Sequence, residues 1–584
     1  MCFCNKVFMK KSNLLLFFLY LVPLVLLVLV AWRILSSDYS EFTTYLALSL
    51  QKPEWEKFIQ VRFTASAFAT ARWAIIVITI LYLATGLLLI FRGSQFLMYW
   101  NAMLHAIRKK TGRKITEFNS MPSYARWLFL LLLVFILIKA GWYIIYWPLQ
   151  YDEAWTYNYY IGNSFWQSFL LPHNNHIFFT ATAWFFQWLP VDPQISMRLP
   201  NLFAGLALII LFFFFIKRYL SINAALFSTF WLATCSPVVF YMLFARGYMF
   251  VLLFTLVVLW IQIILIEDSR RKLFRFALLP AIVLGYWSNP VFMYPHAAVG
   301  LTMIFCLVMQ KDWKALWQNI SIHFLSVLFV IILYLPTLLS SHIHDLVNVG
   351  VKHSFDSSII WKPFYYNSWL IFWGLKKDYI VLIAIVFLFI LTFFSRKRIE
   401  TLQCFAPASI LVLLLFSVLQ SLPLAGHITI FFSISVAIML AFIFRTVEMK
   451  MTVNKIALII LVAGIAILNS VGAHRHHWFT WSVEYDISAK KIAEIMVGKN
   501  IRSCYLAVNY YKPHLEYYYK IKGKKLIVSL PDSVSQDYRD FTPEEQEIVI
   551  TRNNRPSGLA LPDYRQFYKD ETITAYIRKD LHSD

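Results

Sequence analysis

Charge is scarce in this sequence. Asp, Glu, Lys and Arg make up 14% of its 584 residues, where a soluble globular domain carries about 25%. That shortage, beside a 59% share of hydrophobic residues, excludes an ordinary water-soluble protein and implies a chain that crosses a membrane many times. Acidic residues are the scarcer sign: 31 against 53 basic ones, for a net charge of +22. In a soluble chain that excess would suggest nucleic acid. Here Lys and Arg collect in alternate loops between apolar runs, which is the bias that orients membrane proteins, so no nucleic-acid partner is expected. Cysteine is sparse too. Six occur, and apart from Cys2 and Cys4 none stands at metal-ligand spacing. Only Cys504 falls in the region read below as soluble, so no structural disulfide is expected there. No internal repeat, low-complexity linker or matched pair of interrupted helices stands out, which weakens a transporter reading. No small-residue cleavage site follows the first apolar run, so that run reads as a retained helix.

What is present is a series of runs long enough to span. Lys6, Lys10 and Lys11 precede the first, about Asn13 to Leu35, and place the N-terminus in the cytoplasm. A second, about Trp73 to Ile90, leads into the most basic loop, which carries Arg92, Arg108, Lys109, Lys110, Arg113 and Lys114. The third, about Arg126 to Trp147, delivers the chain to the outer face. Others follow from Leu202 to Ile216, from Ala224 to Phe244, and up to Ile266. A short one contains Pro280 and reaches Ser288-Asn289-Pro290. The last runs from Ile456 to Val471. The pattern predicts about thirteen spans, an odd number that leaves the C-terminus outside. From Gly472 the composition changes. Ile501–Val508, Lys525–Leu530, Glu547–Thr551 and Thr572–Ile577 read as strands and Pro513–Tyr519 as a helix, a small α/β domain of roughly 110 residues. Three regions result: residues 1–125, an N-terminal extension with two spans; 126–471, a transmembrane core; and 472–584, an external α/β domain expected to carry no catalytic group.

The outer loop 148–199 holds the chemistry. Asp152 and Glu153 stand side by side where a membrane helix ends, and ionisable groups beside hydrocarbon are candidates for function. A carboxylate there can act as a general base on a hydroxyl. His173, Asn174, Asn175 and His176 offer polar groups in the same loop. Arg198 and Arg246 are expected at outer helix ends, where a guanidinium fork suits a lipid phosphate. The segments Trp155–Phe169 and His176–Leu189 are aromatic and too short to span, and read as interfacial helices. On spacing alone a solvated acidic pair, interfacial histidines and headgroup-anchoring arginines stay open as readings. The histidines match no short metal motif, so no metal ligand is assigned and a divalent cation is not indicated.

Tyr151-Asp152-Glu153-Ala154-Trp155, Asn174-Asn175-His176, Arg198-Leu199-Pro200 and Ala245-Arg246-Gly247-Tyr248, in that order, resemble the succession in bacterial GT-C membrane glycosyltransferases. That group, glycosyltransferase family 39 among it, includes the protein O-mannosyltransferases and the lipid A aminoarabinose transferases. The resemblance covers about Arg126 to Val471. It implies a GT-C-type helical core that moves a sugar from a polyprenyl-phosphate carrier to a glycan, lipid or protein acceptor, at the outer face of a bacterial cytoplasmic membrane. It makes Asp152 the base and Glu153 its supporting neighbour, with Tyr248 and His427 joining the substrate-binding set. The sequence departs from the pattern at Phe244, where many relatives carry an acid, and at Gly426-His427, where many carry Arg-Tyr. A single displacement by the acceptor hydroxyl would invert the anomeric centre. A flippase or transporter of lipid-linked glycan and an envelope-assembly scaffold are the alternatives. Convergence of Asp152, Glu153, Arg198 and Arg246 would favour the enzyme, and a continuous polar path through the membrane the transporter.

Overall fold

The computed structural model describes residues 116–163, 175–340, 378–394, 400–420, 429–450, 455–475, 483–506, 509–529, 546–552, 563–570 and 573–581, with parts of 28–83 and the single residues 165 and 561. The first expected span (apart from a few residues near its end) and the loop around Lys109 lie outside the described residues.

The core begins with α1 (Ser123–Tyr146), which is apolar all round. Ala125, Phe129, Leu132, Ile136, Ala140 and Ile144 recur every three or four residues and are buried, so one stripe packs inward. Leu131, Ile138 and Trp142 stay exposed on the remaining surface, as lipid contact requires. A short α2 (Tyr151–Thr156) follows and runs into a π-helical turn, Tyr157–Ile161. Next come α3 (Ile177–Phe186) and α4 (Pro193–Tyr219). Asp192 caps α4 by accepting from the Gln194 amide at 2.7 Å, with Pro193 in its first turn, where a missing N–H costs nothing. Lys217 and Arg218 close its last turn, the end that favours cations.

The stretch read as one span from Ala224 to Phe244 is in fact broken. It forms α5 (Ile222–Thr234) and α6 (Ser236–Leu243), bent by 57°. Hydropathy is continuous through the break, but Pro237 disfavours an unbroken helix: it has no N–H for the carbonyl four residues back and its ring crowds that turn. Cys235 turns extended instead, and Pro237 sits in the first turn of the new helix. Beyond it lie α7 (Tyr248–Glu267), α8 (Lys272–Ser288, containing Pro280), α9 (Met293–Met309), α10 (Trp313–Ser340), α11 (Asp378–Phe394), α12 (Phe405–Gln420), α13 (Phe432–Lys450) and α14 (Lys455–Arg475). Seven described helices are long and apolar enough to cross a membrane, or eight if the bent pair counts as one span.

The C-terminal region is an α/β domain, as its composition predicts, with more elements than expected. Helix α15 (Val483–Gly498) and α16 (Lys512–Ile521) accompany a five-stranded mixed sheet of order β2-β1-β3-β5-β4. Its strands are β1 (Ser503–Leu506), β2 (Ile527–Ser529), β3 (Ile548–Arg552), β4 (Tyr564–Lys569) and β5 (Ile573–Arg578). β4, absent from the sequence reading, is an edge strand, with β2 at the opposite edge. Arg565, Gln566 and Lys569 break its apolar alternation, and polar residues of that kind discourage edge-to-edge pairing. The domain docks on α2 and its π turn. The Asn158 amide donates to the Pro513 carbonyl at 2.8 Å, and Lys520 Nζ donates to Asn158 O and Asn163 Oδ1 at 3.1 and 2.6 Å.

Candidate active site

After α1 the chain turns extended at Trp147, and Gln150 caps α2. Its side chain accepts from the Glu153 amide while Glu153 Oε2 accepts from the Gln150 amide at 3.1 Å, a reciprocal capping box. Successive helical residues lie about 100° apart, so the adjacent carboxylates leave α2 in different directions. Glu153 turns inward and is fully buried, whereas the Asp152 side chain is 42% exposed.

Glu153 meets Arg198. Arg198 Nε donates to Oε1 at 2.9 Å and Nη2 donates to Oε2, while the Ala245 amide donates to Oε1 at 2.8 Å. The rest of the guanidinium is also spent on protein. Nη1 donates to the carbonyls of Ile144 and Trp147 at 3.2 and 3.0 Å, and Nη2 to that of Pro148 at 3.0 Å. All five donors of the fork are engaged, and the side chain is 1% exposed. Arg198 stands near the start of α4 with every guanidinium donor engaged by protein. It lies inside α4 and ties the end of α1 to the start of α2.

Arg246 occupies the break between α6 and α7. Its Nη2 lies 3.9 Å from Asp152 Oδ2 and its Nη1 donates to Thr156 Oγ1 at 3.4 Å. The break is held by Asn201 of α4, whose amide donates to the carbonyls of Phe244 and Arg246. Gly247 follows, and a Cβ there would lie 2.2 Å from the Ser288 carbonyl and 3.0 Å from the His176 ring, so only glycine lets the two chains approach this closely. His176 Nδ1 is 3.2 Å from Ser288 O and 3.0 Å from Asn289 Nδ2. Its protonation at that nitrogen selects between donating to the first and accepting from the second. The ring meets Tyr248 edge-on at 5.2 Å, and the Tyr248 hydroxyl faces Arg246 and Asn289. Asn175 is turned into the fold, its Oδ1 accepting from Thr180 at 3.0 Å. His173, Asn174 and His427 lie outside the described residues.

The residues named from sequence thus form two adjacent ion pairs. One is buried (Glu153–Arg198); the other (Asp152–Arg246) has a buried cation and a partly open anion. Thr156, Asn201, Asn289 and Tyr510 join them without having been singled out by sequence. Of these only Asn289 had a signal, the Asn-Pro pair at a helix end. Tyr151 and Tyr510 flank Asp152. Burial raises the phenol of Tyr151, and the Asp152 charge adds to it. Tyr510 is raised by burial, then by Asp486, then by Asp152. No group of three or more His, Cys, Asp or Glu side chains placed to hold a metal ion occurs among the described residues.

No family model and no curated protein matches the sequence. Solved structures do match. The crystal structure of ArnT from Cupriavidus metallidurans in the apo state aligns with 78% of this chain and 99% of its own, at 13% identity and a TM-score of 0.53. The structure of ArnT from the same organism bound to undecaprenyl phosphate aligns with 69% and 86%, at 12% identity and a TM-score of 0.44. The likeness to the apo structure shows a shared fold.

Proposed function

We propose that this chain is an integral-membrane glycosyltransferase using a sugar carried on a polyprenyl phosphate. The observation that carries the reading is Asp152: a solvent-reachable carboxylate beside a buried guanidinium, with the neighbouring carboxylate fully neutralised behind it. The fold shared with ArnT supports it. In this reading an acceptor hydroxyl attacks the anomeric carbon in line. Asp152 takes the hydroxyl proton, the bond from that carbon to the phosphate oxygen breaks, and polyprenyl phosphate leaves as an anion facing Arg246. One displacement inverts the anomeric centre, through an oxocarbenium-like transition state. Arg198 and Glu153 hold the loop rather than the substrate. His176, Tyr248 and Asn289 form the wall next to Arg246, with His173, Asn174 and His427 as further substrate contacts and Asn175 holding the start of α3 through Thr180.

The topology belongs to the same proposal: about thirteen spans, a cytoplasmic N-terminus and the domain from residue 472 outside a bacterial inner membrane. The division at residues 125 and 471 is likewise proposed. The test is to incubate the purified chain with undecaprenyl-phosphate-linked hexoses and pentoses and candidate acceptors, and to follow sugar transfer by mass spectrometry. Hydrolysis or transfer that persists unchanged in Asp152→Asn would defeat the reading.

A flippase reading has one observation in its favour, a polar chain within the helices. Tyr286 Oη meets His296 Nδ1 at 3.0 Å, His296 Nε2 meets His323 Nδ1 at 2.7 Å, His323 Nε2 meets Gln262 Oε1 at 3.0 Å, and Gln262 Nε2 donates to Asn319 at 3.3 Å. Each group satisfies the next, which describes a closed network joining α7 to α10 better than an open path.

A further inference from the structure

Tyr151 and Tyr510 stand beside Asp152, Trp155 and Tyr159 continue the row from Tyr151, and the glycosyl-transfer chemistry uses none of the four. Tyr151 stacks on Tyr510 with centroids 4.9 Å apart and planes 18° apart. Tyr151 also meets Trp155 at 6.3 Å and 30°, and Trp155 meets Tyr159 at 4.3 Å and 33°. All four are half-buried, whereas Tyr157, Tyr160 and Tyr511 close by are buried. The π turn matters here, because it begins directly after Thr156 and carries Tyr159 one turn on from Trp155; such turns occur often at functional sites.

One of these rings belongs to the C-terminal domain, and its position is set by more than packing. The Tyr510 hydroxyl donates to Asp486 Oδ1 at 3.1 Å. The same oxygen lies 2.9 Å from His514 Nε2, and both side chains are fully buried. His514 Nε2 also lies 3.1 Å from the Leu149 carbonyl, three residues ahead of Asp152. A chain of polar contacts therefore fixes the Tyr510 ring to the backbone that carries the carboxylate. An interfacial aromatic belt explains single rings at the ends of spanning helices. It does not explain a ring delivered by a sheet domain and stacked on one from the loop.

We propose that Tyr510, with Tyr151, Trp155 and Tyr159, forms a platform for the apolar face of a sugar ring, completed by the C-terminal domain. The inference rests on the glycosyl-transfer reading. A pyranose presents C–H bonds on its face and hydroxyls at its edge. The electron-rich face of an aromatic ring takes the C–H bonds, which leaves the hydroxyl edge toward Asp152 and Arg246. Tyrosine gives a large rigid contact at low entropic cost. The sugar is the donor's or the acceptor's, since both meet at the reacting carbon.

The test uses the full chain in nanodiscs with three probes: undecaprenyl phosphate, undecaprenyl-phosphate-linked hexoses and pentoses, and free methyl glycosides. Affinities are compared for the parent, Tyr510→Ala, Tyr510→Phe and Trp155→Ala. The expected result is a loss of about three- to ten-fold for a sugar-bearing probe in the two alanine variants, with bare undecaprenyl phosphate unchanged and Tyr510→Phe, which keeps the ring but loses its tether to Asp486, falling between the parent and Tyr510→Ala. Loss confined to the carrier-linked sugars assigns the platform to the donor, and loss confined to the glycosides assigns it to the acceptor. Equal loss for the bare carrier, or no loss in either alanine variant, overturns the platform while the parent's preference for sugar-bearing carrier keeps the transferase reading intact. A parent that binds no sugar-bearing probe better than bare carrier overturns both.

Discussion

At the residue scale, two neighbours in sequence have opposite duties. Asp152→Asn keeps shape and removes the basic oxygen, and loss of a general base costs about a hundredfold to ten-thousandfold in rate. The expected outcome is a folded variant that still binds polyprenyl phosphate and turns over at least a hundredfold more slowly by that estimate, read in a single-turnover assay. Glu153→Gln should fail in a different way. It leaves the Arg198 cation buried without its counter-charge, and breaking a buried pair costs about 3–5 kcal/mol. A fall in melting temperature larger than that of Asp152→Asn is therefore expected. The sequence showed that the carboxylates are adjacent. It did not show that Arg198 answers Glu153, because that pairing spans 45 positions and no local pattern encodes it. Arg246 was legible as a cation near the loop. Arg246→Lys keeps the charge but loses the fork, so it should bind polyprenyl phosphate as weakly as Arg246→Ala. Parental affinity in either variant, measured by a titration, would reduce Arg246 to a partner of Asp152 alone.

At the scale of elements, the apolar runs placed most helices because length and hydropathy are properties of the local chain. The bend at Cys235 was missed although Pro237 marked it, since a proline near a helix start and one that breaks a span look alike in one dimension. β4 was missed because an edge strand need not alternate. The junction of α6 and α7 is the element on which the site depends, and Gly247 allows it. Gly247→Ala would drive a methyl into the Ser288 carbonyl at 2.2 Å. The expected outcome is displacement of His176 and Arg246 together: loss of polyprenyl-phosphate affinity with a lowered melting temperature, whereas the same change at Gly300, where an added Cβ meets nothing within 4 Å, should leave both near parental.

At the scale of the molecule, the topology and the role of the last domain can be tested separately. A cysteine probe at the C-terminal tail should be labelled from outside intact cells, and one near Lys109 should not; labelling at Lys109 would reverse the map. Removing residues 472–584 takes away the partners of Leu149 and Asn158, so it should loosen α2 and lower turnover even where the protein still inserts, and a truncated chain with parental turnover would deny the domain any share in the site. The buried pair also sets a clock on biosynthesis. Glu153 leaves the ribosome 45 residues ahead of Arg198 and 92 ahead of the Ala245 amide. At about 5–20 residues per second, the carboxylate waits roughly 2–9 s for its cation and about 5–18 s for its last donor. Until then it cannot enter a water-free setting at tolerable cost. The loop must therefore linger in water while α4 to α6 are made, and the centre closes late, as a unit, once the nascent chain has supplied every partner.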